Sequence, residues 1–452
     1  MPANGPNKAK PAETLLEAYQ AADPRPLASG DPYFVDLTIA RASKATEHLK
    51  RMITNCAEGR FSATAFSGHR GSGKSTELRR LEQELIASHY TLYLDVNDFL
   101  DAADLDYTDL FLLISRALLD KLREDGVAID AGLLKAVEQW FMTVTKETEE
   151  SVKLSAGVAT EAKAGVEFPF IARLMAKLTA DVKAGSSRKV GTRIELDRYF
   201  SGLLTNTNLL LASASEALAK AGRPSQILIL VDNLDRVPPK KADDLFFAHG
   251  SQLQDLNCHV VYTISIDTCY SHKGIANVFP NHAILPNVKL RAGSADPTPR
   301  EEAIAALREI VEKRINVGKL FGDPKPVETL IAHSGGSVRQ LIRLLREAVL
   351  SSQARHIETL DAKSIEDAAQ ALRLDFERIL GLEDYKRLAE ISISKRIQKD
   401  EDHMRSLSNL AVLEYNGTDL WHDVNPLIES INAFKEALAK ARRPVRSRRQ
   451  GK

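Results

Sequence analysis

Apolar residues along this 452-residue chain recur with two periods, and the change from one to the other marks its elements. Short runs rich in β-branched and aromatic residues predict strands over Phe61–Phe66, Tyr90–Val96, Ile227–Val231, Cys258–Ile266 and Ile284–Leu290. Helical spacing lies between them: Thr76–Ile86 carries Leu78, Leu81 and Leu85 on one face, and Tyr107–Glu124 follows the second strand. Ile227–Val231 is an unbroken apolar run, as expected of a strand covered on both faces in a parallel sheet. After the Pro- and Gly-containing stretch Arg291–Arg300 the pattern is helical only, over Glu301–Val317, Pro326–His333, Val338–Ser352 and Ser364–Leu372. From Leu374 it changes again. Helices over Asp375–Ser392 and Asp402–Asn409 precede two alternating runs, Ala411–Tyr415 and Leu420–Val424, joined across Asn416-Gly417 as a hairpin.

The segment between the first strand and its helix carries the chemistry. Gly68-His69-Arg70-Gly71-Ser72-Gly73-Lys74-Ser75 fits G-x-x-x-x-G-K-[ST], the phosphate-binding loop. Glycines let the backbone curl so that successive N–H groups converge on phosphate oxygens, and the following helix points its positive end at the same anion. Lys74 is expected on the terminal phosphates, the Ser75 hydroxyl on magnesium, and Thr76 on a further phosphate oxygen.

A cradle binds nucleotide without hydrolysing it, so a metal-holding carboxylate is needed as well. Asp232 closes the apolar run, at the strand end where parallel sheets bind ligands, and is expected to act through water on the same magnesium. The next residue, Asn233, can orient water but cannot take its proton. Asp235 is the nearest alternative base, with Arg236 either holding it or meeting a phosphate; a plain surface ion pair is the other reading. In the fourth strand Thr263, with Ser265 in reserve, is the candidate γ-phosphate sensor, against a hydroxyl merely satisfied by backbone.

These residues together, Gly68–Leu78 with Lys74, Asp232-Asn233-Leu234-Asp235-Arg236 and Tyr262-Thr263, resemble the P-loop ATPases of the AAA+ and STAND kind, D-x-L-D-R being similar to the KAP and STAND branches. Ser334–Leu345 resembles the lid helix of origin-recognition-type initiator ATPases, and by that match Arg339 is the sensor 2 arginine that reaches the γ-phosphate. The resemblance covers residues 31–430. It implies a three-layer α/β P-loop NTPase core with a parallel sheet, an α-helical lid and a C-terminal winged-helix-like domain. It also implies ATP and Mg2+ as ligands, ATP rather than GTP being consistent with the lack of an N-K-x-D motif. A neighbour's arginine often completes such sites, so a homo-oligomer or protein partner is expected. Tyr33–Val35 would lie beside the adenine or simply pack in the core. Arg314 matches a lid arginine by position, although a solvated helix residue is the simpler reading.

The expected organisation is a mobile leader over 1–30 with a short helix near Thr14–Ala21, then an ATPase core over 31–291. A lid over 298–373, a winged-helix-like domain over 374–439 and a basic tail over 440–452 follow. Residues 141–198 interrupt the core as an insertion and candidate docking surface. Lys plus Arg balance Asp plus Glu at 61 each, so only local charge can attract nucleic acid. Cys56, Cys258 and Cys269 are too dispersed for a disulfide framework or metal knuckle. With no signal peptide and no membrane-length apolar run, the expected location is the cytoplasm.

The resulting reading is an ATP-binding and ATP-hydrolysing switch, slow or partner-stimulated, of the sort that serves signalling or anti-phage defence. The alternatives are a DNA-binding initiator or loader, touching DNA through the winged helix and Lys440–Lys452, and a nucleotide-binding scaffold without turnover. Acids interleave the presumed recognition segment Lys399–Asn409, which favours an intramolecular or protein-contacting wing. Duplex-DNA binding that is lost in moderate salt and on deletion of Lys440–Lys452 would select the initiator reading; retention of no more than trace binding at low salt selects against it.

Overall fold

The computed structural model describes residues 10–149, 151–152, 170–183, 187–323, 325–416 and 420–443. Strands β1 (Ala63–Gly68), β2 (His89–Asp95), β3 (Gln226–Asp232), β4 (His259–Ser265) and β5 (Asn281–Ile284) form a sheet in the order β2-β3-β4-β1-β5. β3 runs parallel to both neighbours, with Tyr90 opposite Ile227, Asp95 opposite Asp232 and Leu230 opposite Val261. Its Ile227–Val231 run is buried, as an apolar strand covered on both faces requires. The fifth strand lies earlier than its expected place at Ile284–Leu290. Pro286 lies two residues beyond Ile284 and has no N–H to give a ladder, so the strand does not continue over the expected run.

Backbone proximity divides the chain into two compact units. One comprises Thr46–Ser67 and Leu78–Ala283; the other comprises Met1–Ala45, Gly68–Glu77 and Ile284–Lys452. This division cuts across the boundaries expected from sequence.

In the first unit, helix Tyr107–Glu124 begins with a capping box between Asp106 and Asp109 and buries Leu110, Phe111, Ile114 and Leu118 in a core shared with β2 and β3. The described part of the insertion belongs to that core. Helix Phe170–Lys183 contributes Ile171, Leu174, Met175, Leu178 and Val182, all buried, and its Lys177 pairs with Glu147 and, at 3.1 Å, with Asp181. Only the helical period of its apolar residues signalled this; residues 153–169 lie outside the described residues.

In the second unit, helices Glu301–Arg314, Lys325–Ser334, Val338–Ala354 and Ala362–Ile379 form the lid. The last is longer than expected, and the chain breaks at extended Leu380 and Gly381 before helix Leu382–Ser394. That helix, Glu401–Ser408, the antiparallel hairpin β6 (Val412–Tyr415) and β7 (Trp421–Val424), and Asn432–Ala441 make the winged-helix-like domain. The Gly417–Asp419 part of the expected hairpin turn and the tail beyond Arg443 lie outside the described residues. Residues 10–22 do not behave as a loose leader. Thr14 and Glu17 form a capping box for helix Leu15–Ala21, Ala18 is fully buried, and Ala12 exchanges backbone hydrogen bonds with Arg314 and Asn316 at 2.9 and 2.8 Å. Small alanines allow that close approach without the large apolar side chains by which packing is usually read. Among the described residues no helix is long and apolar enough to cross a membrane.

Gly336, just before the helix that carries Arg339, has φ +79°, and a Cβ there would meet the Val288 carbonyl oxygen at 1.8 Å. Gly336→Ala should therefore destabilise by about 2–3 kcal/mol. Gly322→Ala, at φ +69° with nothing within 4 Å, should cost only about 1–2 kcal/mol, and comparing the two thermal melting temperatures checks the ranking.

Candidate nucleotide-binding site

β1 ends at Gly68 and the next helix starts at Lys74. Gly71 sits at φ +86°, where a Cβ would lie 2.5 Å from the Arg339 Cβ, so the position needs glycine for both its dihedral and its neighbour. Lys74 is 5% exposed, and its ammonium donates to the Gly68 carbonyl at 2.8 Å and the His69 carbonyl at 3.0 Å. Ser72 donates its N–H to the His69 carbonyl at 3.1 Å; Arg70 is exposed, and Ser75 is partly exposed. The Thr76 hydroxyl accepts from the Leu27 N–H at 3.2 Å. Behind the loop, Arg41 is buried, pairs with Glu77 at 3.1 Å and donates to the Ser72 carbonyl. A guanidinium is suited to this because its planar fork holds a carboxylate and a carbonyl at once. Sequence reasoning missed Arg41, since nothing in its spacing distinguishes it from a surface arginine.

The lid and the wing both reach this loop. Arg339 donates its N–H to the Gly71 carbonyl at 3.2 Å, in the first turn of a helix capped by Ser337. β6 donates the Glu414 N–H to His69 Nε2 at 2.8 Å, which places the imidazole proton on Nδ1. The Tyr415 hydroxyl donates to the Gly335 carbonyl at 2.6 Å, and the Gln340 and Asn425 side chains exchange hydrogen bonds at 3.0 and 2.9 Å. Burial, and then the nearby Lys74 charge, depress the His69 pKa to about 3. Arg314 is buried rather than solvated: its guanidinium lies 5.0 Å from the Tyr33 ring and donates to the Ile310 carbonyl at 3.0 Å, and burial lowers its pKa to about 10. Tyr33 is partly buried against this guanidinium.

The other sequence-predicted residues gather at the end of β3. Asp232 is 2% exposed. Asn233 has φ +67°, a left-handed conformation that asparagine tolerates better than glutamate, and this turns its N–H back onto Asp232 Oδ1 at 2.8 Å. The second oxygen, Oδ2, accepts from the Tyr93 hydroxyl of β2, and the Arg79 guanidinium lies 4.4 Å from the Tyr93 ring centre. Burial, followed by the Asp232 charge, holds the Tyr93 phenol above its ordinary pKa, so it stays a donor. Asp235 is buried in the turn Leu234–Arg236, while Arg236 is exposed. The Thr263 hydroxyl is fully buried, donates to the Val231 carbonyl at 3.3 Å and accepts from the Leu234 N–H at 3.1 Å. The backbone-satisfied reading thus accounts for its observed bonds. Ser265 donates to Asp267.

The hydroxyl of Ser75 and the carboxylate of Asp232 are each hard oxygen donors, and among the described residues no group of three or more His, Cys, Asp or Glu is placed to hold a metal by itself. Hard oxygen donors are the kind magnesium takes, in ones or twos, with water and phosphate completing its shell.

No protein-family profile matches the chain, and no curated protein matches its sequence. Solved structures are similar to it over most of its length. The ORC2 protein of Aeropyrum pernix, solved as ADPNP-ADP complexes, is 12% identical, with 93% of this chain and 98% of that chain covered and a TM-score of 0.38. The ORC1 protein of the same organism, in complex with DNA, is 13% identical, with 93% and 96% covered and a TM-score of 0.37. A Walker-type ATPase of Pyrococcus abyssi is 12% identical, with 93% and 99% covered and a TM-score of 0.41.

His69 gives a pH test. Its folded pKa, about 3, lies below the usual 6.5, so the unfolded chain takes up a proton that the folded chain refuses. The stability it contributes is complete above pH 6.5 and is lost as pH falls towards 3. His69→Gln keeps an acceptor for the Glu414 N–H and removes the titration. Over that window its stability should fall with acid less steeply than the wild type by about one proton, or about 1.4 kcal/mol per pH unit, measured by denaturant unfolding.

Proposed function

We propose that the protein binds ATP with magnesium and hydrolyses it, acting as a switch whose lid and wing report the state of the phosphate loop. The observation that carries this reading is that one loop serves three purposes. It bears Lys74, its Gly71 carbonyl holds Arg339 of the lid, and its His69 ring holds Glu414 of the wing. A phosphate group competes with the Gly68 and His69 carbonyls for the Lys74 ammonium, and movement of His69 is passed directly to β6.

In this proposal the loop N–H groups, Lys74 and Thr76 bind phosphate, Ser75 and Asp232 hold magnesium, and Arg339 reaches the terminal phosphate. Magnesium, when bound, neutralises charge on the transferred phosphoryl oxygens. Asn233 orients water without accepting its proton, Asp235 is the candidate base, and turnover is accordingly slow or partner-stimulated. Thr263 senses the phosphate only through the Asp232–Leu234 turn that its hydroxyl holds. Internal charge pairing supports a wing that contacts protein rather than DNA. Asp384 pairs with Arg387 at 2.8 Å and Arg405 at 2.9 Å, Asp402 pairs with Arg387 at 2.6 Å, and Asp400 caps its helix by accepting from the His403 N–H at 2.9 Å.

Calorimetric titration with ATP and steady-state phosphate release test the reading. Lys74→Ala should weaken ATP binding by at least about tenfold, which is 1.4 kcal/mol. Asp232→Ala should keep measurable binding and reduce phosphate release by about a hundredfold or more. Absence of ATP binding to the wild type at millimolar nucleotide would overturn it; binding without release, with candidate partners added, would leave the scaffold.

A further inference from the structure

We infer that Tyr93 is a positioning residue for the Asp232 carboxylate, fixing the orientation in which that carboxylate holds magnesium; this rests on the magnesium–ATP reading above. The register explains the contact. Tyr93 lies opposite Leu230, so Asp232 is its diagonal neighbour on the adjacent parallel strand, two residues further along. Diagonal neighbours are beyond the reach of short side chains but within that of an aromatic one. Residues two apart on a strand share a face, so the Tyr93 ring and the Asp232 carboxylate emerge on the same side of the sheet.

Both Asp232 oxygens are thereby engaged, Oδ1 by the Asn233 N–H and Oδ2 by the phenol. Two donors, one from β2 and one from the turn after β3, fix the carboxylate's torsion, and each oxygen keeps lone-pair capacity for a metal-bound water. Arg79 lies over the ring, where its charge both holds the ring in place and draws density from the phenol, strengthening the hydroxyl as a donor. Asp95, directly opposite Asp232, has its Oδ1 occupied at 3.0 Å by the Asn97 N–H and at 3.0 Å by the Asn97 amide, which commits that oxygen to a local turn. Tyr93, rather than the adjacent acid, is therefore the side chain that acts on Asp232.

Tyr93→Phe deletes the hydroxyl and leaves the ring beneath Arg79. The test is affinity for a fluorescent ATP analogue, measured in EDTA and then across a Mg2+ titration, for wild type, Tyr93→Phe, Asp232→Asn and the double variant. Tyr93→Phe should match wild type in EDTA and require about tenfold more Mg2+ for half of the magnesium-dependent change in affinity. Added to Asp232→Asn it should change nothing further, because it acts through that carboxylate. A Mg2+ curve coincident with wild type, an equal loss in EDTA, or an additive loss in the double variant would overturn the inference. If the wild type itself shows nucleotide binding but no effect of Mg2+, the magnesium reading fails and the inference fails with it. Unchanged melting temperature of Tyr93→Phe separates positioning from general damage to the fold.

Discussion

The backbone of the phosphate loop needs partners for its polar groups, and how it finds them organises the unit around it. A turn made of positive-φ glycines satisfies few of its own carbonyls; among them is that of His69, which accepts from the Ser72 N–H. Here Lys74 takes the Gly68 and His69 carbonyls, Arg339 takes that of Gly71, and Arg41 takes that of Ser72. Each partner is itself held: Arg41 by the buried carboxylate of Glu77, and Arg339 by its place in a capped helix. A buried charge pair of this kind contributes little net stability, but removing one partner strands the other, at a cost of about 3–5 kcal/mol. The arrangement is thus specific before it is strong.

The same economy explains why the wing belongs to the loop's own unit. His69 can accept the Glu414 N–H only while its imidazole is neutral and buried, and burial enforces both conditions. Gln340 and Asn425 form a reciprocal amide pair nearby, so the lid and the wing are joined by bonds that leave no buried amide donor or acceptor of that pair unanswered. Any group that draws Lys74 away from the His69 carbonyl alters a peptide whose side chain holds β6. In the proposed function this peptide would be the mechanical route from phosphate to wing, with no long-range field required.

At the end of β3 the logic is different. The left-handed Asn233 is a conformational residue first, and its amide N–H serves Asp232. Glutamate there would have to adopt the same backbone at a cost of about 1–2 kcal/mol. The backbone that holds the Asp232 carboxylate thus favours asparagine at the position after it.

The sheet strands, the phosphate-loop motif, the Asp232 strand end and the helix-then-hairpin order of the C-terminal region were legible because each depends on neighbours in sequence. Periodicity, strand-end position and glycine spacing are local properties. Pro286 could have moved the fifth strand to its true place, since a missing N–H is also local. Arg41, Tyr93 and the His69–Glu414 bond were not legible, because each joins residues tens to hundreds of positions apart and carries no spacing rule. The burial of residues 10–22 was hidden for a related reason: their alanine-rich, charged composition indicates exposure until a complementary surface is present. The sequence by itself determined which groups could do the chemistry. Tertiary structure alone decided which other groups hold them, because a hydrogen bond is satisfied by distance in space and not by separation along the chain.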